Sequence, residues 1–96
     1  MEVQTSKAFI KDAAKLPKSY RQKVNEMVET LKAVTTLKDL HFVEPMSGYA
    51  GFYKIRIGYL RIGLFCDETE APEVVLLMCV LPRGDVYKSF PPQRKK

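Results

Sequence analysis

The sequence predicts an α+β domain: a short N-terminal strand, two helices, then an antiparallel sheet of three further strands. Three observations carry that prediction. Apolar residues recur with a helical period between 18 and 34, alternate with a period of two from 52 to 66, and fill an unbroken run over 74–81. A chain of 96 residues has room for one domain, burying roughly 65% of the surface that its unfolded form exposes. Residues 1–90 are therefore expected to form a single domain. Residues 91–96, with two prolines and three cations, are expected to be a disordered basic tail.

Val3, Gln4 and Thr5 suit a short first strand, and Ser6 suits an N-cap, since its hydroxyl can accept from free amides of the following turn. A first helix then runs to about Ala14, with Phe9, Ile10 and Ala13 on its apolar side. It ends at Leu16, because proline at 17 disfavours helical geometry in the residue before it. Pro17 in turn sits well near the start of a second helix. There Tyr20, Val24, Met27, Val28, Leu31 and Val34 share one face, with Arg21, Lys23, Glu26, Glu29 and Lys32 on the other. A helix over 18–34 is about 25 Å long. From 35 to 51 the periodicity dissolves, and Pro45, Gly48 and Gly51 mark an irregular connection.

Alternation takes over at Phe52. Tyr53, Ile55 and Ile57 point one way, and Phe52, Lys54 and Arg56 the other. Gly58 and Tyr59 form a tight turn into a strand whose Leu60, Ile62 and Leu64 face opposite to Arg61 and Gly63. After an acidic turn at 67–72, the apolar run 74–81 suits an interior strand.

Charge and composition exclude several functions. Sixteen Lys plus Arg against eleven Asp plus Glu give +5 and a pI near 9.3, which favours an anionic partner. The eight-residue apolar run is far short of the roughly 20 needed to span a membrane, and no secretory signal is visible. A cytoplasmic protein with no membrane partner is expected. Cys66 and Cys79 lack metal-ligand spacing and read as free thiols in the core. The single histidine, His41, rules out a histidine pair, and reads as a structural or loop residue.

The hairpin is the informative part. Lys54, Arg56 and Arg61 share its polar face with no acid in either strand, and like charges gathered this way cost stability. Two readings fit: an ordinary solvated sheet face, or an anion site. Tyr49 and Phe52 fit packing at the loop–strand junction better than platforms for bases.

The run from Gly48 to Gly63, with Phe52-Tyr53-Lys54-Ile55-Arg56-Ile57 and Tyr59-Leu60-Arg61-Ile62, resembles the central signature of the RelE/ParE toxin superfamily. Leu81-Pro82-Arg83-Gly84-Asp85-Val86-Tyr87-Lys88-Ser89-Phe90 resembles its C-terminal signature, and Phe9-Ile10-Lys11-Asp12 with Lys15-Leu16-Pro17 its opening. The resemblance implies the toxin of a type II toxin–antitoxin pair, partnered by a cognate antitoxin. In the RelE branch it further implies an mRNA endonuclease acting in the ribosomal A site. There the 2′-hydroxyl attacks the adjacent phosphate, so no metal or other cofactor is needed. The residues matched to the family's site are Lys54, Arg56, Arg61, Arg83 and Tyr87.

Chemistry gives each a role. Fixed cations stabilise the charge that gathers on the phosphoryl oxygens, and guanidinium groups at Arg61 and Arg83 can grip a phosphate with two parallel bonds. Neighbouring cations are expected to lower the pKa of Lys54, moving it toward use as a base for the 2′-hydroxyl. Tyr87 fits stacking on a base, or alignment of the hydroxyl, as well as it fits a half-buried core position. Arg56 stands where some RelE-branch members carry a lysine as general base, which moves that role to Lys54. Leu81 stands where the branch has a further arginine as general acid.

Two other functions fit the same chain. A ParE-like DNA gyrase poison would share the fold, though it has no chemical need for the cationic cluster. A non-catalytic basic module binding nucleic acid or an acidic protein would need only the charge.

Overall fold

Alternation in the hairpin and the long apolar strand dictate the centre of the molecule. The computed structural model describes residues 1–90, so the expected tail at 91–96 lies outside the described residues. The elements run β1 (Glu2–Thr5), α1 (Lys7–Ala14), α2 (Lys18–Ala33), a 3₁₀ turn (Leu37–Asp39), β2 (Val43–Pro45), β3 (Phe52–Ile57), β4 (Leu60–Asp67), β5 (Val74–Pro82) and α3 (Arg83–Ser89). One five-stranded sheet has the order β1-β5-β4-β3-β2. The last four strands pair antiparallel, whereas β1 lies parallel to β5 with Thr5 opposite Leu77. No helix among the described residues is long and apolar enough to cross a membrane.

The α+β class, the two helices and the hairpin match the expectation, and three features extend it. The segment from 35 to 51 holds the edge strand β2, and the last turn of the domain is a helix. The third feature is where that helix lies. Burying Phe9, Val24 and Leu31 of α1 and α2 against Ile55, Leu60, Ile62, Leu64, Val75 and Leu77 forms the main core on one sheet face. α3 covers part of the other face, where Val86 and Phe90 pack with Cys79, Phe52, Met78 and Leu81. Phe90 lies flat on Gly63, so a β-carbon there would sit 2.7 Å from its ring. Only glycine leaves room for the contact.

The first helix also completes the sheet. Ser6 caps α1 by accepting from the Phe9 amide at 3.1 Å. A register irregularity between Gly63 and Leu64 leaves Met78 without a partner on β4. β1 ends at Thr5, and beyond it Ser6 Oγ donates to the Met78 carbonyl at 3.0 Å while Asp12 Oδ2 accepts from the Val80 amide at 3.2 Å. Two side chains thus supply the bonds that a longer β1 would have made.

Both cysteines are buried and free, and burial pushes their thiols up, to about 12 for Cys66 and about 11 for Cys79. They lie on opposite sheet faces, Cys66 in the main core and Cys79 beneath α3, so they do not face one another across adjacent strands.

Candidate active site

The open sheet face beside α3 begins with β3. Its alternation turns Phe52, Lys54 and Arg56 away from the main core. Phe52 is tied up in packing, with its ring edge-on to Phe65 and to Phe90 at centroid distances of 5.1 and 5.7 Å. Tyr49 is exposed in the preceding loop. Lys54 lies opposite Gly63, whose missing side chain lets α3 approach. Through that approach Tyr87 reaches the lysine: Lys54 Nζ donates to Tyr87 Oη at 2.6 Å and lies 5.0 Å from the ring centroid. Tyr87 is 50% exposed, so it is no core tyrosine.

An acid shares this face after all. Glu44 on β2 is directly opposite Lys54, with its carboxylate 3.6 Å from Nζ. It was missed because β2 is three residues long, ends in proline and shows no alternation. The Lys54 side chain is 24% exposed, clamped between a carboxylate and a phenol. The pair itself adds little stability, since the Glu44 side chain is half in solvent.

Arg56 and Arg61 are directly opposite in register, as the hairpin predicts, but their side chains part. Arg56 is exposed. Arg61 is only 9% exposed, and its Nη1 donates to the carbonyls of Gly58 at 3.0 Å and Leu60 at 2.9 Å. The guanidinium therefore folds back beneath the β3–β4 turn, and those carbonyl dipoles offset part of the cost of its burial. Gly58 makes that turn with φ +58, a conformation costly for residues with a β-carbon. Arg83 is exposed at the start of α3, and its amide donates to the Tyr59 carbonyl at 2.8 Å. Leu81 pairs with Arg61 and packs under α3.

Of the five residues expected from the sequence, the structure brings Lys54 and Tyr87 into contact and leaves Arg56 and Arg83 exposed. Arg61 sits beneath the turn. His41 is exposed beside Phe42, outside this cluster. The acidic residues Asp67, Glu68 and Glu70 lie at the far end of β4, where Glu68 accepts from the Tyr53 hydroxyl and helps push that phenol up to about 12. One end of the hairpin is thus basic and the other acidic.

Known proteins resemble this chain over nearly its whole length. It is 29% identical to Toxin RelE3 of Methanocaldococcus jannaschii over 92 residues, 95% of this chain and 100% of that one. It is 33% identical over 87 residues to the protein named RelE1 from the same organism, covering 91% and 94% of the two chains. Among solved structures it superposes on a chain of the RelB–RelE antitoxin–toxin complex from Methanococcus jannaschii with a TM-score of 0.73 and 25% identity, covering 92% and 99%. No family model matches.

Proposed function

The chain belongs to the RelE family of toxins, and from that premise we propose that it is the toxin of a toxin–antitoxin pair that inhibits translation by cutting mRNA on the ribosome. The observation that carries the reading is the Lys54–Tyr87 contact on an open face beside exposed Arg56. A proton-carrying pair and a fixed cation are what phosphodiester cleavage by an internal hydroxyl requires.

In the proposed step the 2′-oxygen bonds to the adjacent phosphorus and the bond to the 5′-oxygen breaks. The nucleophile belongs to the RNA, so the reaction asks the protein for alignment, proton transfer and charge stabilisation. Lys54 and Tyr87, joined by their hydrogen bond, relay the proton that the 2′-hydroxyl releases to the departing 5′-oxygen, which leaves as a hydroxyl. Arg56 and Arg83 stabilise the negative charge that builds on the phosphoryl oxygens. Arg61 supports the turn from which the face is built. Alignment in the ribosomal A site supplies the remaining orientation, and makes naked RNA a poor substrate.

The relative solved with RelB supports an antitoxin as the second partner. A net charge of +5 and the exposed cations suit an acidic segment of such a protein.

Primer extension on a defined message in a cell-free translation reaction tests the activity. New 3′ ends at codon positions, appearing only with ribosomes present, are expected. An intact message in the presence of folded protein overturns the reading, and gyrase supercoiling is then the assay to run.

A further inference from the structure

The tip of the β3–β4 hairpin is built with more support than an exposed turn needs. Tyr59 is 50% exposed, yet both residues of the turn are anchored from below. Arg83 N–H holds the Tyr59 carbonyl at 2.8 Å, and Arg61 Nη1 holds the Gly58 carbonyl at 3.0 Å. From the helix side Tyr20 of α2 meets the Tyr59 ring edge-to-face, with centroids 5.1 Å apart and planes at 88°. The Tyr59 ring is thus held in one orientation with half its surface free.

Cationic residues neighbour it along the chain or through Tyr20. Lys23 Nζ lies 5.3 Å from the Tyr20 centroid, Arg83 is bonded to Tyr59 through its backbone, and Arg56 stands two residues before the turn. Among the described residues none of these three forms an ion pair. The carboxylates Asp67, Glu68 and Glu70 are at the other end of β4, roughly 25 Å away at 3.3 Å per residue. A fixed, half-exposed aromatic ring with unpaired cationic residues nearby has the chemistry of a single-stranded nucleic-acid contact, where a base stacks on the ring and a flanking phosphate meets the charge.

We propose that the hairpin tip is a second RNA contact, in which an unpaired nucleotide stacks on Tyr59 with its phosphate on Lys23. The inference rests on the RNA-cleaving reading and extends it. From Lys54 to Gly58 is about 13 Å of strand, so the stacked nucleotide lies close to the one that is cut. It comes either from the message or from ribosomal RNA, which share this chemistry.

The test compares wild type with Tyr59→Phe, Tyr59→Leu and Lys23→Gln. Leucine still covers Tyr20 but offers no π face, and circular dichroism verifies that each variant is folded. Binding is read by fluorescence anisotropy with a short unstructured RNA oligonucleotide, and by co-sedimentation with ribosomes carrying a message. Tyr59→Phe should bind as wild type, and Tyr59→Leu about tenfold more weakly. Lys23→Gln should make the slope of log affinity against log salt shallower by about 0.7. Weakening with the oligonucleotide assigns the site to the message, and weakening with ribosomes alone assigns it to ribosomal RNA. Folded Tyr59→Leu that binds both ligands as wild type overturns the proposal, even where wild type cuts messages normally. A wild type that binds through Tyr59 but leaves messages intact overturns the endonuclease reading and keeps the site.

Discussion

Lys54 on β3 and Tyr87 on α3, 33 residues apart in the chain, are joined by a hydrogen bond of 2.6 Å. Removing either partner separates catalysis from folding, because neither side chain belongs to a core cluster. Lys54→Ala and Tyr87→Phe should each lower ribosome-dependent cleavage by about a hundredfold or more. Their melting temperatures should stay close to wild type. Cleavage at the wild-type rate by both variants removes the pair from the proposed mechanism.

Arg61 should behave differently from Arg56. Its two bonds to carbonyls at the turn are charge-assisted, one buried and one partly so, so Arg61→Met should cost about 1.5–3 kcal/mol of stability. Arg56→Met on the exposed face should cost less than about 0.5 kcal/mol while still impairing cleavage. Urea denaturation of the two variants gives the comparison directly. Equal stabilities would show that the turn does not depend on the guanidinium.

Gly63→Ala places a methyl group within 2.8 Å of three atoms of the Phe90 ring. Overpacking of this kind costs about 1–3 kcal/mol, which lowers the melting temperature of a domain this size by about 5 °C or more. Adding Phe90→Leu should recover part of the loss. A Gly63→Ala protein that melts with wild type would mean α3 docks without that contact.

Stability should fall on the alkaline side. Burial raises the thiols of Cys66 and Cys79 above their ordinary value of 9.0, to about 12 and about 11. Hydrogen bonding to Glu68, with burial, raises the Tyr53 phenol from 10.0 to about 12. The folded state thus keeps protons that the unfolded state releases, so this contribution is complete below about pH 9 and is lost as pH climbs towards 11 and 12. Denaturant midpoints should decline from pH 9 to pH 11, and less steeply in Cys66→Ala/Cys79→Ala. An equal decline in that variant would trace the effect to other groups.

Much of this was legible in the sequence wherever a pattern repeats. β3, β4 and their turn were predicted because two alternating runs meet at Gly58, and α2 because six apolar residues share one face. β2 was not, since three residues ending in Pro45 carry no period. α3 was hidden for a similar reason: a helix of seven residues, with Gly84 inside it, turns only Val86 firmly inward. Its docking depends on Phe90 meeting a glycine 27 residues earlier, which no local window contains. The candidate site divides the same way. Alternation placed Lys54 and Arg56 on the open face, but it says nothing of where a long side chain bends. Arg61 therefore read as an outward cation, although turn carbonyls draw it under the hairpin. Glu44 was missed with its strand.

The parallel pairing of Thr5 with Leu77, together with the bonds from Ser6 and Asp12 to Met78 and Val80, sets the order in which the protein can be finished. During synthesis the first strand has nowhere to dock until β5 has emerged, since its partner lies some 70 residues downstream. Contacts this distant in sequence slow folding. The helices and the hairpin can form early, but the face that carries Lys54 and Tyr87 is assembled last, after α3 has followed β5. A chain that has not yet made α3 therefore lacks the Lys54–Tyr87 contact altogether, and one that has not yet closed β1 still has an open sheet edge along β5.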